Sequence, residues 1–157
     1  MKQLILAGTF YCVFVCFSFS QTNAEIQNEQ KAITRLIQTC YIEGMANNGD
    51  TTIMNECFHS DFVLMGLSKG QKLWSWDLGK FKEYYVKGKE EGKIPKKGKN
   101  MVSAKIISID IEGTMALAKL ELYKGETLTY IDYLNLFKFN TEWQIVCKTF
   151  YNVSEKK

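Results

Sequence analysis

The chain has 157 residues, of which 46% are hydrophobic and 13% aromatic, and it holds a single proline. That supply of apolar side chains supports one compact domain with its own core and excludes a disordered chain. Twenty Lys and Arg against 17 Asp and Glu leave a net charge of +3, too small to argue for a nucleic-acid partner.

The first 24 residues stand apart. Lys2 is the only charge before Glu25, residues 4–19 are almost unbroken in their apolarity, and Ser20 to Ala24 form a small, polar tail. This is the layout of a secretory signal, with Thr22 and Ala24 suited to a cleavage site and Ser18 and Ser20 as the alternative. The apolar run falls short of the ~20 residues that span a bilayer, so cleavage is favoured over an anchor. The expected product is residues 25–157, one domain, secreted or periplasmic and free of the membrane. Cleavage removes Cys12 and Cys16 and leaves Cys40, Cys57 and Cys147. With three thiols, at most one internal bridge can form. Cys40 and Cys57 fall on apolar faces of neighbouring predicted helices and could meet, but small buried hydrophobes are the favoured reading for all three. No Cys or Cys/His spacing supports a metal, and no cofactor is expected.

Apolar residues recur at helical spacing over 25–45, among them Ile33, Leu36, Ile37, Cys40, Tyr41 and Met45. Asn47-Asn48-Gly49 ends that helix. Asp50 can cap a second, short one through Cys57, with Ile53, Met54, Cys57 and Phe58 turned inward. A short strand is expected over 62–67 and a turn over 68–71. A third helix follows over 77–87, carrying Leu78, Phe81, Tyr85 and Val86 as its stripe. Residues 87–99 hold six lysines and two glutamates broken by Gly88, Gly92, Pro95 and Gly98. A flexible, solvated connection is the favoured reading there, over contact with an anionic surface or ligand. No aromatic residue interrupts the run to stack on bases, which again weighs against nucleic acid.

From Met101 to Phe150 the chain reads as four long strands, over 101–111, 114–123, 126–139 and 141–150, joined by short turns into an antiparallel meander. The third of these is apolar on both faces. An antiparallel sheet wetted on one side would alternate more cleanly, so the face turned away from the helices also needs cover. A second copy of the sheet is the economical cover, and a homodimer through the sheet is expected.

Helix, short helix, short strand, helix and long curved meander together resemble the α+β, cone-shaped fold of the nuclear transport factor 2-like superfamily. Within it the chain is most similar to the “putative lumazine-binding” family of small, often exported bacterial proteins. Three stretches carry the resemblance: Glu56-Cys-Phe-His-Ser-Asp-Phe62; Ile107-Ser-Ile-Asp-Ile-Glu-Gly113 with Ala116-Leu-Ala118; and Asp132-Tyr-Leu-Asn-Leu136 with Trp143-Gln-Ile-Val-Cys-Lys148. It covers roughly residues 27–153. These are packing motifs, specific for the fold and weakly so for any activity. Relatives on the same cone include ketosteroid isomerases, polyketide cyclases and dehydratases, which the resemblance implies would use an Asp or His base and a Tyr or Asp donor inside the cone. This chain lacks the paired-histidine signature of some of them and has only His59.

Asp132 is the sharpest candidate for chemistry, because a carboxylate in an apolar, aromatic strand is costly to bury alone. Facing the cone, it could serve as a general base. The favoured reading is structural, an Asp paired with Lys119 or Lys148 on a neighbouring strand, or with backbone at a bulge. His59 could shuttle a proton, though closing a helix end is the plainer role. Tyr41 could present a hydroxyl as donor, and Trp76 and Tyr85 could line the mouth, each otherwise being ordinary aromatic core. If Tyr41, His59, Tyr85 and Asp132 converge, they form polar groups in an apolar cavity, the usual form of a small-molecule site. The leading expectation is thus a protein that binds a small apolar or aromatic molecule without catalysis. An acid–base isomerase, cyclase or dehydratase with Asp132 as base is the alternative. A cone filled by its own side chains, acting only as an interaction module, is the third.

Overall fold

The computed structural model describes residues 22–153; most of the predicted signal segment lies outside the described residues. Helix α1 (Asn23–Leu36) begins at a capping box, in which the Glu25 amide donates to the Thr22 hydroxyl at 3.3 Å and the Thr22 amide donates to the Glu25 carboxylate at 2.7 Å. The rod continues without a break into a π-helical segment (Ile37–Asn47) that buries eight of its 11 residues, including Cys40, Tyr41 and Met45. The predicted first helix is therefore one rod in two hydrogen-bond modes, and the π turns broaden the face it buries. Asp50 caps α2 (Thr51–Cys57), accepting from the amides of Thr52 and Ile53 at 2.9 and 3.2 Å.

Strand β1 (Phe58–Leu67) starts four residues earlier than expected, and β2 (Leu73–Asp77), which was not expected, folds back on it. Helix α3 (Leu78–Glu90) is capped by Asp77. Strands β3 (Val102–Glu112), β4 (Met115–Lys124), β5 (Thr127–Phe139) and β6 (Glu142–Asn152) form the expected meander. The sheet has six strands in the order β2-β1-β6-β5-β4-β3, with β1 parallel to β6 and the other pairs antiparallel.

Period-two alternation decides what faces the helices. Ala116, Ala118, Leu120 and Leu122 of β4 oppose Leu136, Leu134, Asp132 and Tyr130 of β5. The alanines and leucines of this set meet Ile33, Ile37, Tyr41, Met45 and Met54 from the helices in a single core. Glu29 of α1 ties the two layers together, accepting from Lys138 Nζ at 2.5 Å and from Trp143 Nε1 at 2.7 Å. The opposite face of the sheet exposes Met115, Leu117, Tyr133, Phe137 and Tyr151. Lys119 stands on that outer face with its ammonium 5.5 Å from the Tyr133 ring, so it cannot be the partner of Asp132.

Two further expectations are corrected. Cys40 and Cys57 are not free thiols: a disulfide joins them, with Cα atoms 6.3 Å apart, because the π-helical segment and α2 pack side by side. Cys147 remains free, and burial pushes its thiol pKa up. The lysine-rich stretch is also not a loose connection. Lys87 to Glu90 complete α3, Ile94 is buried, and a 3-10 turn (Gly98–Asn100) leads into β3.

Candidate functional site

Asp132 is fully buried. It sits on β5 between Leu120 of β4 and Phe150 of β6, on the face turned toward the helices. Lys148 lies on the same face of β6, opposite Leu134 on one side and Leu64 of β1 on the other. Tyr41 reaches the pair from the π-helical segment. The Tyr41 hydroxyl donates to Asp132 Oδ2 and accepts from Lys148 Nζ at 2.5 Å, and Lys148 Nζ lies 2.7 Å from the same Oδ2. Three polar groups from three elements thus close on one another inside an apolar core. Asp132 Oδ1, in contrast, has no hydrogen-bond partner among the described residues, although it is buried. A buried carboxylate oxygen without a donor is costly. Of the buried side-chain nitrogen and oxygen atoms among the described residues, it is the one without a partner.

Burial and the charge of Asp132 push the Tyr41 hydroxyl well above its usual pKa of 10.0. Burial raises Tyr85 in the same direction, followed by its neighbours Tyr84, Asp132 and Tyr130. Both stay protonated phenols throughout the physiological range, and Tyr41 donates to Asp132.

One side of this cluster is closed by aromatic rings. Lys148 Nζ lies 5.1 Å from the Tyr41 ring centroid and 5.5 Å from that of Phe150. Phe150 packs at 5.9 Å on Trp74 and at 5.7 Å on Tyr130. Trp74 packs on Trp76, Trp76 on Tyr84, and Tyr84 edge-on to Tyr85. Trp74 can lie there because residue 66 is glycine: a Cβ at that position would fall 2.4 Å from the indole. Tyr84 and Tyr130 are exposed and the two tryptophans half-buried, so the collar runs from the core to solvent. The Lys148 side chain is only 12% exposed and marks the inner end of that path.

Of the residues singled out from the sequence, the structure brings Tyr41 and Asp132 into contact and sets Tyr85 and Trp76 in the surrounding collar. His59 does not join them. Phe58, its neighbour on β1, faces the core opposite Ile145, so alternation turns His59 to the outer face. There it stacks on Phe139 at 4.5 Å, and its Nδ1 accepts from the Asp61 amide. Lys148 entered the sequence reading only as a structural partner of Asp132. Trp74, Tyr84, Tyr130 and Phe150 were missed, although Trp74-Ser-Trp76 has the period of a strand with both rings on one face.

Among the described residues, open clefts lie outside the cone, and two of them stand out. One of about 520 Å³ runs beside α1 and the disulfide, between Lys31, Arg35, Glu56 and Trp143. The other, of about 610 Å³, lies at the β4–β5 turn.

The family model described as “Putative lumazine-binding” matches residues 28–151. The chain belongs to that family. Solved structures place it in the nuclear transport factor 2-like superfamily. A nuclear transport factor 2-like protein of unknown function from Shewanella baltica OS155 is 25% identical, with a TM-score of 0.65 over 84% of this chain and 97% of that one. Another, from Silicibacter pomeroyi DSS-3, is 19% identical with a TM-score of 0.65 over 81% and 98%. A “putative dehydratase” of the same fold from Streptomyces avermitilis is 12% identical with a TM-score of 0.54 over 82% and 98%. No curated protein matches. The lumazine-binding-family chain therefore shares with these proteins an α+β cone in which helices cover one face of a curved, unclosed sheet.

Proposed function

We propose that this member of the putative lumazine-binding family binds a small, partly aromatic molecule at the collar, above the Tyr41–Asp132–Lys148 cluster. The observation that carries this reading is the unpartnered Asp132 Oδ1 beside a fixed tyrosine and lysine, at the inner end of a path lined by Trp74, Trp76, Tyr84 and Phe150. Flat rings supply stacking area, and a few oriented polar groups supply direction. The cluster is arranged to bind. Asp132 Oδ2 is occupied by two internal donors, which leaves Oδ1 to accept a ligand N–H or O–H once the collar opens.

The test is direct. The protein is purified without added ligand and extracted, and the extract is analysed by mass spectrometry. Extracted protein is then titrated with a panel of aromatic heterocycles while tryptophan emission is followed. The proposal expects saturable quenching that Asp132→Asn and Trp76→Ala weaken by about tenfold or more. Saturable binding that both variants retain would place the ligand elsewhere and overturn it.

A second reading keeps Asp132 as a general base and Tyr41 as a proton donor for isomerisation, cyclisation or dehydration next to a carbonyl. It is favoured by the direct Tyr41–Asp132 hydrogen bond and by the dehydratase named among the structural neighbours. Turnover lost in Asp132→Asn with ligand binding retained would support it. Two further readings complete the proposal. The apolar outer face of β4, β5 and β6 is buried against a second copy of the sheet, which analytical ultracentrifugation tests. The chain is exported, and because Thr22 caps α1, cleavage after Ser20 would keep that cap; N-terminal sequencing of the mature protein decides.

A further inference from the structure

The lysines of residues 87–99 have no part in the cone site, and the structure gives them a fixed setting. The fully buried Asn47 is the anchor. Its carbonyl accepts from the Lys96 amide at 2.8 Å, its side-chain oxygen accepts from the Val102 amide at 2.8 Å, and its side-chain nitrogen donates to the Val102 carbonyl at 2.9 Å. One side chain and its own backbone thus hold both ends of the segment that carries Lys96, Lys97 and Lys99. The far wall is equally close-fitting. Gly125 donates to the Met101 carbonyl at 2.9 Å, and a Cβ on Gly125 would fall 2.9 Å from the Lys99 carbonyl oxygen. Its φ of +57° also favours glycine. Between these walls lies the cleft of about 610 Å³, lined by Lys99, Asn100, Lys124, Gly125, Glu126 and Thr127 among others.

The charges in and beside this cleft are unbalanced. Lys99 and Lys124 line the cleft with one carboxylate, Glu126, while Lys96 stands beside it on the segment that Asn47 anchors, and none of the three lysines has a carboxylate within ion-pair distance among the described residues. Lys96 is half-buried, and its pKa is lowered first by that burial and then by the charge of Lys124. Like charges that repel each other, one of them partly desolvated, are destabilising unless an anion joins them. Cations beside amide and hydroxyl donors are the groups that bind oxyanions.

We propose that the cleft between the 3-10 turn and the β4–β5 turn binds a phosphate group, held by Lys96, Lys99 and Lys124 with Asn100 and Thr127 as neutral donors. The site is separate from the cone and does not rest on any ligand bound there. The phosphate can belong to a soluble molecule or to a lipid headgroup, and two arms of one experiment separate these sources. In the first, isotope-labelled protein is titrated with inorganic phosphate at constant ionic strength, and NMR follows the amides of Asn100 and Gly125 and the side chains of Lys96 and Lys124. In the second, the protein is sedimented with phosphatidylcholine vesicles with and without phosphatidylglycerol. Saturable shifts confined to the cleft, weakened roughly tenfold in Lys96→Met and again in Lys124→Met, are the expected result. Sedimentation with the anionic vesicles alone, lost in the same variants, would assign the phosphate to a headgroup. Both variants must give unchanged spectra away from the cleft, which separates lost binding from lost folding. Shifts that stay linear and are matched by chloride, together with vesicle binding that is absent or indifferent to both substitutions, would overturn the proposal.

Discussion

Removing the ammonium of Lys148 is the sharpest perturbation of the buried cluster. In Lys148→Met the side chain keeps its length and apolar stem, while the Asp132 carboxyl stays fully buried with Tyr41 as its remaining donor among the described residues. Breaking one partner of a buried pair costs about 3–5 kcal/mol, because the remaining charge is left uncompensated. A domain of this size is stable by roughly 5–15 kcal/mol, so the variant should lose about a fifth of its stability or more. At ~2–4 °C per kcal/mol, the midpoint should fall by roughly 6–20 °C. Asp132→Asn removes the charge from the other side and should also destabilise, since Lys148 is almost as enclosed. The pair replaced together, as Asp132→Asn with Lys148→Met, buries no unpaired charge and should recover much of the loss. The assay is urea unfolding of the four proteins, followed by tryptophan fluorescence and circular dichroism, with the interaction read from the cycle. A coupling of about 2 kcal/mol or more is expected. If Lys148→Met costs under ~1 kcal/mol and the two substitutions add without coupling, the two groups do not form a buried ion pair, and the account of the site fails.

Other perturbations follow from the same packing. Replacing Cys40 and Cys57 together by alanine opens a bridge with a sequence separation of 17 and should cost about 3 kcal/mol, read as a lower urea midpoint; a midpoint equal to that of the parent would refute the bridge. Hydrogen bonds from Lys138 and then Trp143 hold the Glu29 carboxyl below its usual 4.5. Its stabilising contribution is therefore complete above that value and lost as pH falls through the lowered one, so Glu29→Gln should flatten the acid side of a stability–pH profile. Trp143→Phe removes one of the two donors and should cost about 1–2 kcal/mol near neutral pH, measured in the same unfolding assay. Gly66→Ala should displace the Trp74 indole, destabilising the fold by about 1–3 kcal/mol and shifting tryptophan emission; an unchanged spectrum would mean that the ring does not lie over the strand.

What the sequence determined by itself was whatever depends on local pattern. Alternation along β4, β5 and β6 and the helical spacing of Ile33, Ile37 and Tyr41 specify the elements and their buried faces, and family motifs specify the cone. Even the burial of Asp132 follows from parity, since it shares a face with Leu134 and Leu136. Only the tertiary structure decided which residues meet. The parallel pairing of β1 with β6 brings Leu64 beside Lys148, and a shift to π-helical turns places Tyr41 over both Lys148 and Asp132. Alternation counted across the β1–β6 pairing turned His59 outward, which its sequence position beside a strand start concealed. The same holds for the lysine-rich stretch. Its glycines and proline read as a loose loop, because the hydrogen bonds that fix it come from Asn47, about fifty residues away, and contacts of that range leave no periodic trace in the sequence.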